Sequence, residues 1–313
     1  MIQLTTYIVS NGTLPQRIDK FLCESFSYNN RSIWQHEIDE GNITLNDKVV
    51  TTYNKTIKSG DCIKYIGEKY AEPKVNTNYS IIFEDEFIIA VNKPSNLPTH
   101  PSGIFYNNTL QCMLEKQYNQ KVYAVHRLDR ETSGVIVFTK DAKSCSQIQK
   151  TFNTCKKVYI AITRGVIENN FFCEHTSIGK HRSSLIKSKQ EAYDGAEKDA
   201  ITNFKTLKCF EKNTLVCAMP ETGRQHQIRV HLAHLGFPIM GDKLYGFNDQ
   251  FYLQYAKNGL NENLQKMLDF PRCALHAKNF IFTHPHTKQK IELVAHLASD
   301  MQNFILQNDH TLV

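Results

Sequence analysis

A string of charged and polar residues between two short apolar runs constrains the fold of this chain more than any other segment. The string covers residues 126–132, with apolar residues 122–125 before it and 135–138 after it. The β-branched runs predict two strands, and the string predicts a loop that joins them. Asp129 lies in this loop among arginines. Removing a carboxylate from water costs several kcal/mol unless a cation pairs with it, so the pattern fits either a solvated turn or a functional, paired Asp.

Length and composition predict an ordinary globular protein without a membrane span. The 313 residues suffice for two domains or for one large domain with an appendage, and 41% apolar with 22% charged residues excludes a disordered chain. No apolar segment is long enough to cross a bilayer, and the N-terminus lacks the pattern of a secretory signal. The nine cysteines form no CxxC pair, which favours reduced thiols in the cytoplasm. A formal charge of +6 is compatible with a polyanionic partner.

Residues 14–67 are predicted to form a small module ahead of the main domain. Apolar spacing indicates one helix near residues 17–22 and a second from residue 32 to the glycine at 41. A hairpin that turns at residues 46 and 47 and a final strand complete the module. Residues 68–79 are polar and aperiodic, which predicts a linker, and residues 80–305 are expected to form the second domain.

Three segments of this module, RIDKFL, WQHEIDEGNITLND and SGDCIKYI, resemble the alpha-L RNA-binding domain of the S-four type. The resemblance implies an RNA clamp whose basic side chains hold phosphates irrespective of base sequence. The candidate residues for these contacts are Arg17, Lys20, Arg31 and Lys48. Each of them alone is more often an ordinary surface charge, and this alternative stays open.

Two segments of the second domain contain further candidate residues. Residues 156–162 alternate as a strand, with Lys157 and Tyr159 on the face opposite its Val and Ile residues. Apolar residues between 228 and 235 have helical spacing, and Arg224 lies at the predicted start of that helix.

The loop motif HRLDRETSG resembles the signature of the RluA-type pseudouridine synthases. Other motifs of that family occur here in the family's order: NKPSNLPTHPSG before the loop, then ETGRQHQIRVHL, GDKLYG, RCALHA and FTHP after it. The resemblance implies an α+β fold, in which a mixed, mostly antiparallel central sheet has flanking helices and an RNA-binding cleft. Together with the N-terminal module, it implies action on a structured RNA, foremost large-subunit ribosomal RNA, with transfer RNA as the alternative.

The same resemblance implies roles for individual residues. Asp129 corresponds to the family's catalytic residue, Arg224 to the Arg that pairs with it, and Tyr159 to the Tyr that stacks on the target base and removes its carbon 5 proton. The implied base-flipping and RNA-binding positions near the loop are Arg127, His126 and Lys157. The sequence leaves open whether Asp129 adds covalently to the nucleotide or removes a ribose proton. None of these steps needs a metal, a nucleotide or a redox cofactor.

Other functions remain as alternatives at this point. His226, His231 and His234 invite a metal site, although no HExxH motif or paired cysteines accompany them. A hydrolase could use Asp129 with a second carboxylate, and it would change the mass of its product, whereas pseudouridine has the mass of uridine. A non-catalytic RNA-binding or ribosome-assembly protein could keep the same scaffold. For the enzyme, we expect a monomer.

Overall fold

The computed structural model describes the chain except for residues 1, 11, 27, 28, 30, 69–71, 103, 106 and 310–313. The chain divides into two compact units, Met1–Val75 with His100–Gln117, and Asn76–Thr99 with Tyr118–Val313. The predicted linker, residues 68–79, includes positions 69–71, which lie outside the described residues.

The first unit contains two helices and short antiparallel strands. Its elements are β1 (Ile2–Ile8), β2 (Gln16–Arg17), α1 (Ile18–Ser25), α2 (Arg31–Asp39), β3 (Ile43–Leu45), β4 (Lys48–Val49), β5 (Thr56–Ile57) and β6 (Cys62–Glu68). One sheet has the order β1-β6-β3-β4, and β2 pairs with β5. The predicted hairpin turns at Asn46 and Asp47, both left-handed with φ of 51° and 65°, as a two-residue turn between strands requires. Trp34 and Ile38 pack with Ile18 in the core of this unit.

The structure extends this module beyond the predicted start at residue 14. β1 pairs with β6 along its whole length, from Ile2 opposite Glu68 to Ile8 opposite Cys62. The helix α3 (Leu110–Tyr118) begins after Thr109, whose hydroxyl accepts the N–H of Cys112 at 3.3 Å.

The second unit is built on one large sheet. Its strands are β7 (Ser80–Glu84), β8 (Ile88–Lys93), β9 (Tyr123–Ala124), β10 (Ser133–Thr139), β11 (Lys156–Arg164), β12 (Phe171–Glu174), β13 (Ile178–Lys180), β14 (Gln190–Ala192), β15 (Thr202–Cys209), β16 (Asn213–Pro220), β17 (Leu275–Thr283) and β18 (Lys290–Val294). The sheet has the order β12-β15-β16-β11-β17-β10-β8-β7, with β9 on β10 and β18 on β17, while β13 and β14 form a separate hairpin. Pairing is antiparallel except between β10 and β17, which confirms the predicted mixed, mostly antiparallel sheet of an α+β fold.

Helices flank this sheet, and two of them had clear signals in the sequence. The helices are α4 (Ala142–Lys150), α5 (Gln227–His234), α6 (Asp249–Asn258), α7 (Glu262–Met267) and α8 (Ser299–Asn308), with a 3-10 turn at Phe152–Thr154. Asp141 caps α4 by accepting the N–H of Ser144 at 2.8 Å. Gly236 follows α5 with φ of 85°, the left-handed conformation that ends a helix.

Every residue of β10 is buried, which explains the apolar run that follows the charged string. Gly134 stands at the start of this strand with φ of 110°, and a Cβ there would lie 2.1 Å from the carbonyl oxygen of Ala277 on β17. A glycine is therefore needed for β10 to approach β17. This close approach fixes the end of the charged loop against the centre of the sheet.

Candidate active site

The charged string forms a loop between β9 and β10, and its backbone is fastened on both sides of Asp129. The hydroxyl of Thr99 donates to the carbonyl of Leu128 at 2.9 Å and accepts the N–H of Leu128 at 3.1 Å. On the other side, the N–H of Thr132 donates to the carbonyl of Asp129 at 3.1 Å. These bonds hold the backbone of Asp129 in one position before any substrate binds.

Lys93 supports the same loop from inside the protein. Its side chain is fully buried, and Nζ donates to the carbonyls of Pro94, Leu97 and Arg130 at 2.9, 2.8 and 3.2 Å. Burial lowers the pKa of Lys93 to about 7, because the charged ammonium is stripped of water. The bond to Arg130 joins the NKPSNLPTHPSG segment to the loop.

Arg229 is the side chain that pairs with Asp129. It lies in the first turn of α5, and its Nη1 donates to Oδ2 of Asp129 at 2.8 Å. Its Nε and Nη2 donate to the two carboxylate oxygens of Asp242, each at 2.7 Å. Asp242 is fully buried and also accepts the backbone N–H groups of Leu244 and Tyr245 at 3.0 and 3.1 Å. The bidentate pair with Asp242 thereby fixes the direction from which the guanidinium reaches Asp129.

This arrangement corrects the predicted pairing of Arg224 with Asp129. The exposed Arg224 precedes α5, and its Nε donates to the carbonyl of Asp199 at 2.7 Å. The helix begins at Gln227, later than predicted, and the left-handed residue His226 turns the chain between the two arginines. The ETGRQHQIRVHL motif contains both arginines. Because α5 begins only after Arg224, the helix carries Arg229 and directs its side chain to the loop.

Asp129 is ionised in this environment. Burial raises the pKa of the Asp129 carboxyl. The nearby His226 and Arg229 and the hydrogen bond from Arg229 lower this pKa by more than burial raises it, so it lies below its usual value. A carboxylate is therefore available at neutral pH.

Asp129 opens into a cleft of about 340 Å³ that also brings together most of the other candidates. The predicted residues among its lining are His126, Arg127, Asp129, Lys157, Tyr159 and Arg224. Tyr159 comes from β11, at a bulge between Val158 and Tyr159 that shifts the register with β17. Burial raises the pKa of Tyr159, and the charge of Asp129 adds to this effect, so the phenol keeps its proton at neutral pH.

The three remaining cleft candidates differ in how freely they face solvent. Arg127 is exposed, whereas the amine of Lys157 lies 5.0 Å from the ring centre of Phe152 and donates to the carbonyl of Glu221 at 3.3 Å. The ring of His126 stacks on Phe280 with centroids 4.8 Å apart. Burial, with the charge of Lys157, lowers the pKa of His126 to about 4, so its imidazole is neutral. His126 therefore anchors the loop to the sheet, and Arg127 projects beside it.

The three histidines that invited a metal site are far from equivalent. His231 is buried, with Nδ1 2.9 Å from the hydroxyl of Thr202 and Nε2 3.0 Å from the carbonyl of Thr176. His226 lies beside Asp129, and His234 is exposed at the end of α5. Among the residues that the structure describes, no three His, Cys, Asp or Glu side chains are arranged to hold a metal ion.

In the first unit, a buried carboxylate organises two of the four basic candidates. Asp19 has a fully buried side chain and accepts bonds from Arg17 and Arg31 at 3.0 Å and from Gln35 at 2.8 Å. Both arginine side chains stay about half exposed, at 43% and 50%. The other two candidates, Lys20 and Lys48, are exposed.

Sequence reasoning missed Arg229, Asp242 and Lys93, and it considered His226 only as a metal ligand. A signal for Arg229 was present, since it stands between Ile228 and Val230 in a helix whose apolar neighbours are buried, and a buried Arg needs carboxylates. Asp242 offers the matching charge in the GDKLYG motif. No local pattern reveals that these two residues, 13 positions apart, form one unit with Asp129.

Comparison with known proteins gives a consistent set of similarities. Residues 87–234 match the model of the RNA pseudouridylate synthase family, and residues 16–63 match the S4 domain model. The ribosomal large subunit pseudouridine synthase C of Buchnera aphidicola subsp. Baizongia pistaciae is 34% identical over 306 residues, which cover 92% of each chain. The tRNA pseudouridine synthase C of Vibrio vulnificus is 34% identical over 230 residues, which cover 69% of this chain and 89% of that protein.

A solved structure resembles about three quarters of the chain. The human RNA pseudouridylate synthase domain containing 4 protein superposes with a TM-score of 0.57 at 26% identity, covering 73% of this chain and 92% of that chain. No helix in the described part of the chain is long and apolar enough to cross a bilayer.

Proposed function

Since this chain belongs to the RNA pseudouridylate synthase family, we propose that it isomerises specific uridines of large-subunit ribosomal RNA, with Asp129 as the catalytic residue. The observation that carries the site assignment is the ionised carboxylate of Asp129, held by Arg229 and directed into a cleft with Tyr159. The reaction breaks the bond between ribose and a uracil nitrogen, rotates the base, and rejoins it through carbon 5, which loses its proton while the released nitrogen gains one.

Asp129 acts on the nucleotide as a carboxylate. It either adds covalently to the substrate or removes a ribose proton, and both routes require the ionised form that Arg229 stabilises. Because Asp242 occupies two donors of Arg229, this arginine has little freedom to follow the substrate. Its role is to orient Asp129 and to keep it charged.

Arg127 and Tyr159 are assigned to the flipping and stacking of the target base. Taking a uridine out of folded RNA costs a few kcal/mol, and a flat guanidinium such as that of exposed Arg127 can stack in the vacated place. Tyr159 stacks on the flipped base. Its raised pKa makes the predicted removal of the carbon 5 proton costly, because the phenol would first have to lose its own proton. We therefore assign Tyr159 the stacking role.

Large-subunit ribosomal RNA is the proposed substrate because the relative from Buchnera, named for that activity, matches over 92% of this chain, including the N-terminal module. The relative named for transfer RNA matches over 69% and supports the second candidate. Arg17, Lys20, Arg31 and Lys48 would hold phosphates of the structured RNA. We further propose that the enzyme works as a monomer in the cytoplasm, where its ribosomal RNA substrate is made.

Mapping pseudouridine in total RNA from cells with and without the gene tests the substrate. We expect one or a few sites to disappear from large-subunit ribosomal RNA in the deleted cells and to return when the gene is restored. Loss of sites from transfer RNA alone would contradict the proposed substrate and leave the reaction unchanged. Light scattering of the purified chain tests the monomer, which a stable dimer mass would contradict.

A further inference from the structure

Arg229 holds one oxygen of Asp129, and the other oxygen faces His226. Nε2 of His226 lies 3.8 Å from Oδ1 of Asp129, whereas Arg229 bonds to Oδ2 at 2.8 Å. We propose that His226 is a positioning residue whose Nε2–H donates to Oδ1 of Asp129 when RNA is bound. Both oxygens of the carboxylate are then fixed, one by each partner. This inference rests on the proposed catalytic role of Asp129.

Tyr245 fixes the ring of His226. The Tyr245 hydroxyl lies 2.8 Å from Nδ1 of His226 and accepts the N–H of Gln190 at 3.0 Å. In the proposed arrangement the hydroxyl donates its own proton to Nδ1, which leaves the imidazole proton on Nε2. The negative charge of Asp129 in front of Nε2 favours the same tautomer.

His226 acts as a neutral donor at neutral pH. Burial lowers the pKa of His226 to about 4, and the charge of Arg229 contributes in the same direction. Besides Arg229, the groups that face this imidazole are Asp129, Asp242, Arg127 and Tyr245. An N–H without a full charge can orient the carboxylate and leave its negative charge available for the substrate.

The backbone of His226 has a conformation that is uncommon for a residue other than glycine. The residue precedes α5 with φ of 58° and ψ of 16°, the left-handed conformation that glycine and asparagine adopt more readily. Strained residues of this kind cluster at functional sites, where surrounding contacts hold them. Here Tyr245 supplies that contact, and its ring also lies under the Arg229 guanidinium at 5.0 Å.

The gap of 3.8 Å is longer than a hydrogen bond and fits a site without substrate. Catalytic hydrogen bonds are often long in free enzymes and shorten in the substrate complex. A shift of about 1 Å in the Asp129 side chain closes the gap to an ordinary N–H···O distance.

The test compares full-length variants on total RNA from cells that lack the gene, which contains the target whether it is ribosomal or transfer RNA. His226→Asn keeps a residue that tolerates the left-handed backbone and removes the imidazole. Tyr245→Phe keeps the ring under Arg229 and removes only the hydroxyl. His234→Asn makes the same chemical change at the far end of α5 and is the control. The readouts are the single-turnover rate of pseudouridine formation, the Kd for RNA and the pH profile of the rate.

We expect His226→Asn to lower the rate by about 10- to 100-fold with an unchanged Kd for RNA. The acidic limb of its pH profile should move to higher pH, because the ionised Asp129 loses a donor. Tyr245→Phe should cause a smaller fall, and the double variant should be no slower than His226→Asn, since the two residues act as one unit. His234→Asn should match the wild type.

A wild-type rate and pH profile for His226→Asn, alongside an inactive Asp129→Asn, would overturn this inference and leave the proposed function standing. Full activity of Asp129→Asn would overturn the proposed function and the inference with it. Loss of RNA affinity without loss of rate would assign His226 to binding and would also contradict the positioning role. If His226→Asn failed to fold, a wild-type rate and pH profile for Tyr245→Phe would overturn the inference.

Discussion

The side chain of Arg229 joins two carboxylates that would otherwise repel each other, the buried Asp242 and the partly exposed Asp129. Its pair with Asp242 is bidentate, and its remaining donor reaches Asp129. A lysine in its place would keep one charge but could not span both acids, because an ammonium lacks the planar fork of a guanidinium. The position of Asp129 therefore depends on the shape of Arg229 as well as on its charge.

We predict that Arg229→Lys lowers the single-turnover rate by about 100-fold, through a displaced Asp129, while RNA affinity is retained. Arg224→Lys makes the same change at the arginine that lies at the edge of the cleft, and it should keep a rate close to that of the wild type. Single-turnover assays with saturating RNA measure both effects. If Arg224→Lys were inactive while Arg229→Lys stayed active, the result would support the pairing of Arg224 with Asp129 that the motif alone had predicted.

The two arginines also show where sequence reasoning about the site stops. Asp129, Tyr159 and Arg127 were identified by motif, and the structure brings them to one cleft. The choice between Arg224 and Arg229 depends on where α5 begins, and helix ends are the least certain part of any assignment from sequence.

Among the structural elements, α1 illustrates how one buried carboxylate orders a basic surface. Burial of Asp19 raises its pKa, but hydrogen bonds from Gln35, Arg31 and Arg17 outweigh this and bring the pKa to about 2. Since the ordinary value is 3.8, the folded first unit is stabilised by about 2 kcal/mol above pH 3.8. That contribution is lost as the pH falls from 3.8 towards 2, because the unfolded chain then takes up a proton that the folded unit does not bind until the pH is lower still.

We predict that Asp19→Asn lowers the free energy of unfolding of the first unit by about 2 kcal/mol at pH 7. Below pH 4, the free energy of unfolding of this variant should fall less with decreasing pH than that of the wild type. The chain has one tryptophan, Trp34, which is buried in this unit, so its fluorescence during denaturation reports on the unit within the intact protein. Asp39→Asn, at an exposed position of α2, is the control. An unchanged unfolding midpoint in Asp19→Asn would refute the assigned role.

The helix α6 supports the catalytic loop. The hydroxyl of Tyr255 on α6 accepts a hydrogen bond from Arg130 and lies 3.4 Å from Oε1 of Glu131. Lys243 donates to both carboxylate oxygens of Glu131 at 2.8 and 2.9 Å and lies over the Tyr255 ring. Arg130 and Glu131 therefore act as supports for the loop that carries Asp129.

Removing the Tyr255 hydroxyl should loosen this loop. In Tyr255→Phe, we expect the backbone amides of residues 127–132 to exchange with solvent about 5- to 10-fold faster, which corresponds to the loss of one hydrogen bond of about 1 kcal/mol. Tyr252→Phe makes the same change three residues away on α6 and should leave the exchange unaltered. Hydrogen exchange measured by mass spectrometry distinguishes the two variants, and equal exchange in both would contradict the support.

Elements with strong periodicity or clear end signals were predictable, and short edge elements were not. Residues 126–132 lie between strands, and residues 46 and 47 form the turn, both as expected. β12 and the hairpin of β13 and β14 lie in a polar region whose short strands leave no continuous apolar run to detect.

For the whole molecule, binding of a polyanion should depend on exposed cations in the first unit. Lys20 and Lys48 are exposed, and the nearest acid to Lys20 is Glu24 at 3.8 Å, an exposed pair that contributes little. Both amines therefore remain available to phosphates. In contrast, the buried Asp19 holds Arg17 and Arg31 in fixed directions.

Affinity for RNA falls as the salt concentration rises. If each lysine contacts one phosphate, we predict that Lys20→Gln and Lys48→Gln each make the slope of log affinity against log salt less steep by roughly 0.7 to 0.9. The rate at saturating RNA should stay unchanged, because these residues bind RNA without touching the reacting nucleotide. Lys257→Gln, an exposed lysine on α6, is the control. A slope that does not change would remove Lys20 and Lys48 from the RNA-binding surface.

The most direct test of the central claim replaces Asp129 with asparagine in cells that lack the chromosomal gene. Asp129→Asn keeps the shape of the side chain, and Arg229 keeps its pair with the buried Asp242, so folding and RNA binding should persist. Pseudouridine mapping of total RNA should then show the target sites restored by the wild-type gene and absent with Asp129→Asn. Target sites modified to the wild-type level by Asp129→Asn would contradict the account.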